Sequence, residues 1–435
     1  MKALLELVRR HRAGEPRGIH AVCSAHPLVL RATIEHARAG GGEALIEATS
    51  NQVNQDGGYT GLRPAGFRDQ VWRMADDLGL PRERVLLGGD HLGPNCWQTQ
   101  PAAAALARAA EMVREYVEAG FRKIHLDCSM SCGGDPRALP DAVIAERSAA
   151  LCEVAEDAWR SAGGEPPVYV IGSEVPIPGG AQETLHELAV TEPQAALATV
   201  GAHRDAFSRR GLGSAWERVI ALVVQPGVEF GHDSVIDYAP AKARRLSSCL
   251  AAEPQLVFEA HSTDYQRPEA LAALVRDHFA VLKVGPALTF ALREALWALD
   301  RIEREWLGDE RSSRVRETVL GAMRADPTHW RRYYHGTGRA LELELEYSLS
   351  DRIRYYWPVP AVAASVARLI ASFAKGAPPL ALLRQYLPAA YAAVRAGALR
   401  TDAATLLVHH IGQVLGEYSR ACARNGAAPE RGVSR

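Results

Sequence analysis

Short apolar runs alternate with longer amphipathic stretches from the N-terminus almost to residue 300. The runs HAVCSA (20–25), ALIEAT (44–49), RVLLGGD (84–90), KIHLD (123–127), VYVIGSE (168–174), ALVVQ (221–225), QLVFEAH (255–261) and FAVLKVG (279–285) predict eight strands. Each is rich in Val, Ile and Leu without strict alternation, the pattern of parallel strands buried on both faces. Helix-period segments lie between them, for example 101–119, 141–162 and 268–277. Eight β-then-α units predict a closed (β/α)₈ TIM barrel over residues 1–300, in the α/β class, rather than an open doubly wound sheet. No G-x-G-x-x-G follows the first run, so the dinucleotide-binding alternative lacks its phosphate turn.

Beyond residue 300 the pattern changes to charged and apolar helical stretches at 300–323, 361–373 and 388–415. They predict a C-terminal helical extension, 301–435, packed beside or below the barrel and frayed from residue 425. The N-terminal stretch MKALLELVRRHRAGEPRG reads as an amphipathic helix, because it lacks the uninterrupted apolar core of a signal peptide. The apolar stretch 360–373 is interrupted by arginine and serine and is too short to span a bilayer.

Composition narrows the partners. A formal net charge of −1 over 435 residues removes the basic surplus that nucleic-acid binding requires. Small anionic ligands stay open, since they need only a few local arginines. Seven scattered cysteines suit free thiols in a reducing compartment, so the cytoplasm is expected. Cys128 and Cys132 in CSMSC lack the second pair of a metal knuckle and read as buried thiols. Barrel proteins often form dimers or tetramers, and a homo-oligomer is expected.

In a (β/α)₈ barrel, residues at the C-terminal ends of the strands face the active site. Those positions collect Asp90 and His91; Ser50, Asn51 and Gln52; Asp127; Glu174; His232; His261, Ser262 and Asp264; and Lys283. His91 and His232 follow the third and sixth runs and His261 ends the seventh, so three imidazoles can converge on one ion. Imidazole suits Zn²⁺, Mn²⁺ and Co²⁺, and three protein ligands leave room for a substrate. Asp90 is the candidate general acid/base. Glu174, in IGSEVPIPGG, reads either as an alternative ligand or as a second proton-transfer group. The loop SNQVNQDGGYTG (50–61) can cradle a polar ligand with backbone N–H groups. Arg352 and Arg354, beside aromatic residues in SDRIRYYW, can clamp a phosphate or stack on a sugar. No G-x-x-x-x-G-K-[ST] occurs, which removes a P-loop kinase.

The segments CSAHPLVL, LIEATSNQVNQDGGYTG, GGDHLGPNCWQ, KIHLDCSM, GSEVPIPGG, VVQPGVEFGH, FEAHSTDYQ and SLSDRIRYYW closely resemble the GatZ/KbaZ family. These are the accessory, so-called non-catalytic, subunits of D-tagatose-1,6-bisphosphate aldolase, related to the class II metal-dependent aldolases. The resemblance implies a (β/α)₈ barrel with a divalent-metal site. Asp90 resembles the acid/base aspartate and His91 the metal ligand that follows it. His232 and His261 resemble the other two metal histidines, and Glu174 the glutamate that swings onto the metal. In those aldolases a glycine-rich phosphate loop follows the strand-seven histidine, whereas here Ser262, Thr263 and Asp264 follow it. The resemblance implies support of a catalytic aldolase subunit in tagatose, galactitol or galactosamine breakdown; Asp90, the three histidines and Glu174, for which a purely supporting subunit has no evident need, point instead to stand-alone metal-dependent 4-epimerisation of a ketose or ketose phosphate by retro-aldol chemistry.

Overall fold

The computed structural model describes residues 1–40, 42–172 and 188–423. The eight apolar runs form one closed parallel barrel in chain order. Its strands are β1 (Ile19–Val22), β2 (Ala44–Thr49), β3 (Val85–Leu92), β4 (Lys123–Leu126), β5 (Val168–Gly172), β6 (Val219–Val223), β7 (Val257–Ala260) and β8 (Phe279–Val284). Ile19 of β1 stands level with Val281 of β8, which closes the ring. A two-stranded antiparallel ribbon, Glu229–Phe230 with Val235–Ile236, follows β6.

Side chains of one parity on each strand fill the barrel interior, and they change character from bottom to top. Ile19, Leu45, Leu86, Val168, Val257 and Val281 make an apolar floor. Leu4 and Val8 of the N-terminal helix Lys2–Arg12 pack onto that floor from below. This explains the amphipathic start of the chain: one stripe plugs the barrel, and burying each aliphatic side chain stabilises by about 1.5–3 kcal/mol. Two residues further along the strands the same parity carries Glu47, Lys123, Glu259 and Lys283, all buried. Gly88 belongs to this layer because a Cβ there would lie 2.8 Å from the Glu47 side chain. The opposite parity, including Ile46, Leu87, Ile124, Tyr169 and Phe258, meets the surrounding helices.

The helix after β8 runs unbroken from Pro286 to Leu307. The extension that follows is helical and shares the barrel's outer core. Its last helix, Ala403–Cys422, lies against the helices Pro27–Gly40, Pro268–Arg276 and Pro286–Leu307. Tyr418 of that helix donates to the Thr263 carbonyl at 2.7 Å, tying the extension to the loop after β7. The segment around Arg352–Tyr355 reaches the mouth of the barrel, beyond the position beside or below it that amphipathicity suggests. The seven cysteines are free thiols, with Cys128 and Cys132 buried. Among the described residues no helix is long and apolar enough to cross a membrane.

Candidate active site

β3 ends in a bulge. Its register against β4 shifts between Gly89 and Leu92, and His91 has φ +50°. Neighbouring residues on a regular strand point to opposite faces. Here the left-handed turn at His91 lets Asp90 and His91 both face the mouth. Such a conformation costs a non-glycine residue on the order of 1–3 kcal/mol and concentrates at functional sites.

Asp90, His91, His125 and His261 are all buried and can each offer one ligand atom, the four atoms lying within 4.8 Å of one another. The three imidazoles form a triangle with centroid separations of 4.8, 5.0 and 5.3 Å. His91 Nδ1 pairs with Asp127 Oδ2 at 2.7 Å, which leaves Nε2 for a ligand. Asp127 is itself fixed by the Ser129 hydroxyl at 2.6 Å and backbone N–H at 3.1 Å. His261 Nε2 lies 3.1 Å from Glu259 Oε1, leaving Nδ1. His125 Nε2 lies 3.0 Å from the Gly172 carbonyl, while its Nδ1 lies 3.0 Å from Asp90 Oδ1 and 3.3 Å from the His91 backbone N–H, so both of its ring nitrogens already have partners. Carboxylate or carbonyl partners on the far nitrogen are how metal-binding histidines are usually held.

Charge supports the same reading. Asp90, Asp127, Glu47 and Glu259 surround this level of the barrel with only Lys123 and Lys283 as fixed cations among the described residues. Two net negative charges next to three imidazoles fit a divalent d-block cation. Burial pushes His261 down to about 3 against the opposing pull of Glu259 and Asp90, so it is a neutral imidazole. Burial opposes ionisation of Asp90, but His91, Lys283 and the His125 hydrogen bond hold its carboxyl well below the usual range. Lys283 Nζ stands 2.8 Å from Asp90 Oδ1. Burial opposes its charge too, yet Asp90, Cys23, Glu47 and Glu259 keep it well above its ordinary value.

The residues expected at the site divide into groups. Asn51, Gln52, Ser262, Asp264, Lys283 and Arg354 line the mouth together with Asp90, His91 and His261. Gln52 spends its amide on the Thr49 N–H and the Cys23 carbonyl. Asp264 Oδ1 accepts from the N–H groups of Gly285 and Ala287. Asp127 stands behind His91, and Arg352 lines an adjoining cleft. Ser50 is buried within its loop, where its carbonyl accepts from Asn54. The structure does not bring His232 to the cluster. That residue sits in the turn of the ribbon after β6, its Nδ1 3.1 Å from the Ser348 hydroxyl and its ring against Tyr334. Glu174 lies outside the described residues.

His125 and Lys123 escape a reading that inspects only strand ends. The signal is present as K-x-H-x-D over 123–127, where a spacing of two puts all three on one face of a strand otherwise buried.

Comparison with known proteins adds the lineage. The chain is 48% identical to the protein in the crystal structure of a probable tagatose 6 phosphate kinase from Sinorhizobium meliloti 1021, with TM-score 0.86 over 93% of this chain and 100% of that one. The YdjI aldolase from Escherichia coli K12 matches at 11% identity and TM-score 0.41, covering 82% of this chain and 97% of its own. A fructose-bisphosphate aldolase from Campylobacter jejuni matches at 14% and 0.41, covering 84% and 90%. The model of the D-tagatose-1,6-bisphosphate aldolase subunit GatZ/KbaZ-like family matches residues 4–423, nearly the whole chain, and the protein belongs to that family.

Proposed function

We propose that this chain carries its own aldol-type active site and acts as a metal-dependent ketose or ketose-phosphate 4-epimerase, interconverting fructose-type and tagatose-type sugars. The observation that carries the proposal is the buried set Asp90, His91, His125 and His261 at the barrel mouth, with Lys283 against Asp90. An accessory subunit would have no use for a buried imidazole triangle whose far nitrogens are each held by a partner.

His91 Nε2 and His261 Nδ1 would hold the ion (Zn²⁺, Mn²⁺ or Co²⁺), His125 joining them only by giving up the Nδ1 contacts to Asp90 and the His91 N–H, and the ion would supply Lewis-acid polarisation of the ketose carbonyl. Asp90 would accept the proton of the C4 hydroxyl. The C3–C4 bond then breaks, its electron pair passing into the C2–C3 enediolate as C4 becomes an aldehyde. Lys283, held protonated, keeps Asp90 ionised between turnovers and offers an ammonium to a substrate oxygen. Rotation of the aldehyde before the bond re-forms inverts C4. Asp90 returns its proton to the new alkoxide, so the cycle is balanced and needs no oxidant or co-substrate. The thiols and neutral charge suit a cytoplasmic setting.

The test uses the purified chain with Mn²⁺, Zn²⁺ or Co²⁺ and fructose 6-phosphate, with the free sugars alongside. Formation of tagatose 6-phosphate, abolished in Asp90→Asn and His91→Ala, is expected. A chain that converts no ketose, binds no metal and only stabilises a partner aldolase would overturn the proposal in favour of the supporting role.

A further inference from the structure

The extension helix Pro360–Ala374 reads PAVAASVARLIASFA, with Arg368 its one charged residue. Val362, Leu369 and Phe373 bury one face in the outer core. A second apolar face is left over. Ala363 with Ala367, and Val366 with Ile370, stand four residues apart, the spacing of neighbours on a helix surface, and both alanines are exposed. Leu62, Pro27 and Trp357 lie opposite, and the small side chains at 363 and 367 leave a cleft of about 460 Å³. Cys23, Tyr59 and Pro286 line both this cleft and the barrel mouth, so the two spaces meet.

Most polar groups on the wall are committed. The Gln52 amide, the Thr60 and Thr289 hydroxyls and the Arg354 guanidinium all hydrogen-bond within the protein. His26 differs. Its Nδ1 accepts the Leu28 N–H at 3.2 Å, at the start of the helix Pro27–Gly40, and burial pushes it down to about 4. The proton of the neutral ring therefore sits on Nε2. That N–H has no acceptor among the described residues, and it is not sealed off, because His26 is partly exposed and lines the cleft. Gln70, partly exposed on the same wall, adds an amide without a partner among the described residues.

No carboxylate or lysine among the described residues lines the cleft, and Arg354 is already satisfied by the carbonyls of its own loop. A charged ligand would lose its hydration there without gaining a free counter-charge. The Trp357 ring, set edge-on to His26 at 6.1 Å, and the Tyr59 ring offer flat apolar surface. Small-molecule sites are typically clefts of about 300–1,000 Å³, mostly apolar, with a few placed polar groups. We infer that this cleft is a second ligand site, for an uncharged, ring-bearing molecule that presents a hydrogen-bond acceptor to His26. It adjoins the mouth at Cys23 and Tyr59 and is independent of the sugar chemistry proposed above.

Calorimetric titration of the full chain, without metal or sugar, tests the site with three probes of similar shape. Acetophenone carries the acceptor, ethylbenzene lacks it, and benzoate adds a charge. Acetophenone should bind wild type, and benzoate about tenfold or more weakly. His26→Asn keeps an acceptor for the Leu28 N–H, asparagine being favoured before a helix, but withdraws the Nε2 donor. It should weaken acetophenone about three- to tenfold, the worth of one hydrogen bond, and leave ethylbenzene unchanged. Ala367→Trp, at an exposed position that leaves folding intact, should fill the cleft and abolish binding of both. Absence of acetophenone binding to wild type, or equal affinity in Ala367→Trp, would overturn the site. Equal weakening of acetophenone and ethylbenzene in His26→Asn would overturn the role of His26, and tighter binding of benzoate would overturn the uncharged class. Loss of binding in Ala367→Trp together with a changed sedimentation coefficient would assign this face to contact between copies and overturn the small-molecule reading. None of these outcomes bears on the epimerase, which is tested with metal and ketose.

Discussion

Lys123 gives the sharpest physical test of the barrel interior. Its Nζ lies 2.8 Å from Glu47 Oε1 and 2.7 Å from Glu259 Oε2, all three side chains being fully buried. These are close ion pairs whose angles are too bent for good hydrogen bonds. At an effective dielectric of about 20, each contact carries roughly 6 kcal/mol of gross Coulomb attraction, most of it offset by desolvation of both charges. Lys123→Met keeps the stem and removes the charge, leaving Glu47, Glu259 and Asp90 to share Lys283 alone. Breaking a buried pair from one side costs about 3–5 kcal/mol, because the surviving carboxylates remain desolvated. Urea unfolding followed by tryptophan fluorescence should show that loss as a lower midpoint at unchanged slope. Adding Glu47→Gln to Lys123→Met removes one stranded charge and should recover on the order of 2 kcal/mol, a non-additivity expected of contacting groups. A loss below about 1 kcal/mol in the single variant, or a double variant worse than the single, would refute the account of a charge-balanced layer.

Two further outcomes follow from the site and its rim. Asp127 orients His91 through a 2.7 Å contact, so Asp127→Asn should weaken divalent-metal affinity about 10–100-fold in a chelator competition, with the fold retained; unchanged affinity would remove Asp127 from that role. Glu229 is fully buried, and burial raises it from an ordinary value of 4.5 to about 7. The folded state therefore binds more protons than the unfolded chain between those pH values, and wild-type stability contains a term that falls as pH rises through that window. Glu229→Gln lacks this term and should gain on wild type by on the order of 3 kcal/mol between pH 4.5 and 8; a difference that stays flat with pH would count against it.

Much of the architecture was legible in local pattern. Eight Val/Ile/Leu-rich runs separated by helix-period segments are enough to specify a closed barrel, because only parallel strands buried on both faces require such runs. Asp90, His91, His261 and Lys283 were legible for the same reason, since strand ends in a barrel share one mouth. The exact strand limits were less so: β6 begins at Val219, where the run suggested 221, because pairing with β5 rather than apolarity sets the start.

What the sequence could not decide depends on which parity faces inward and on contacts between distant segments. Lys123 and His125 look like ordinary members of a buried strand until the barrel closes and turns their face to the centre, beside Glu259 and His261. His232 has the local setting of a ligand, but the ribbon after β6 and the Ser348–Ser350 segment, more than a hundred residues later, hold it elsewhere, with Leu349 N–H donating to its carbonyl at 2.8 Å. Arg352 and Arg354 are two residues apart and chemically identical, yet Arg354 is satisfied by the carbonyls of its own loop while Arg352 reaches only the Tyr355 hydroxyl and the Tyr333 ring, with Nε and Nη2 left without hydrogen-bond partners. Periodicity along a chain reports burial, because burial follows from the repeat of the element itself. Pairing of charges and ligands is set by where remote backbones cross, and only the folded barrel determines that.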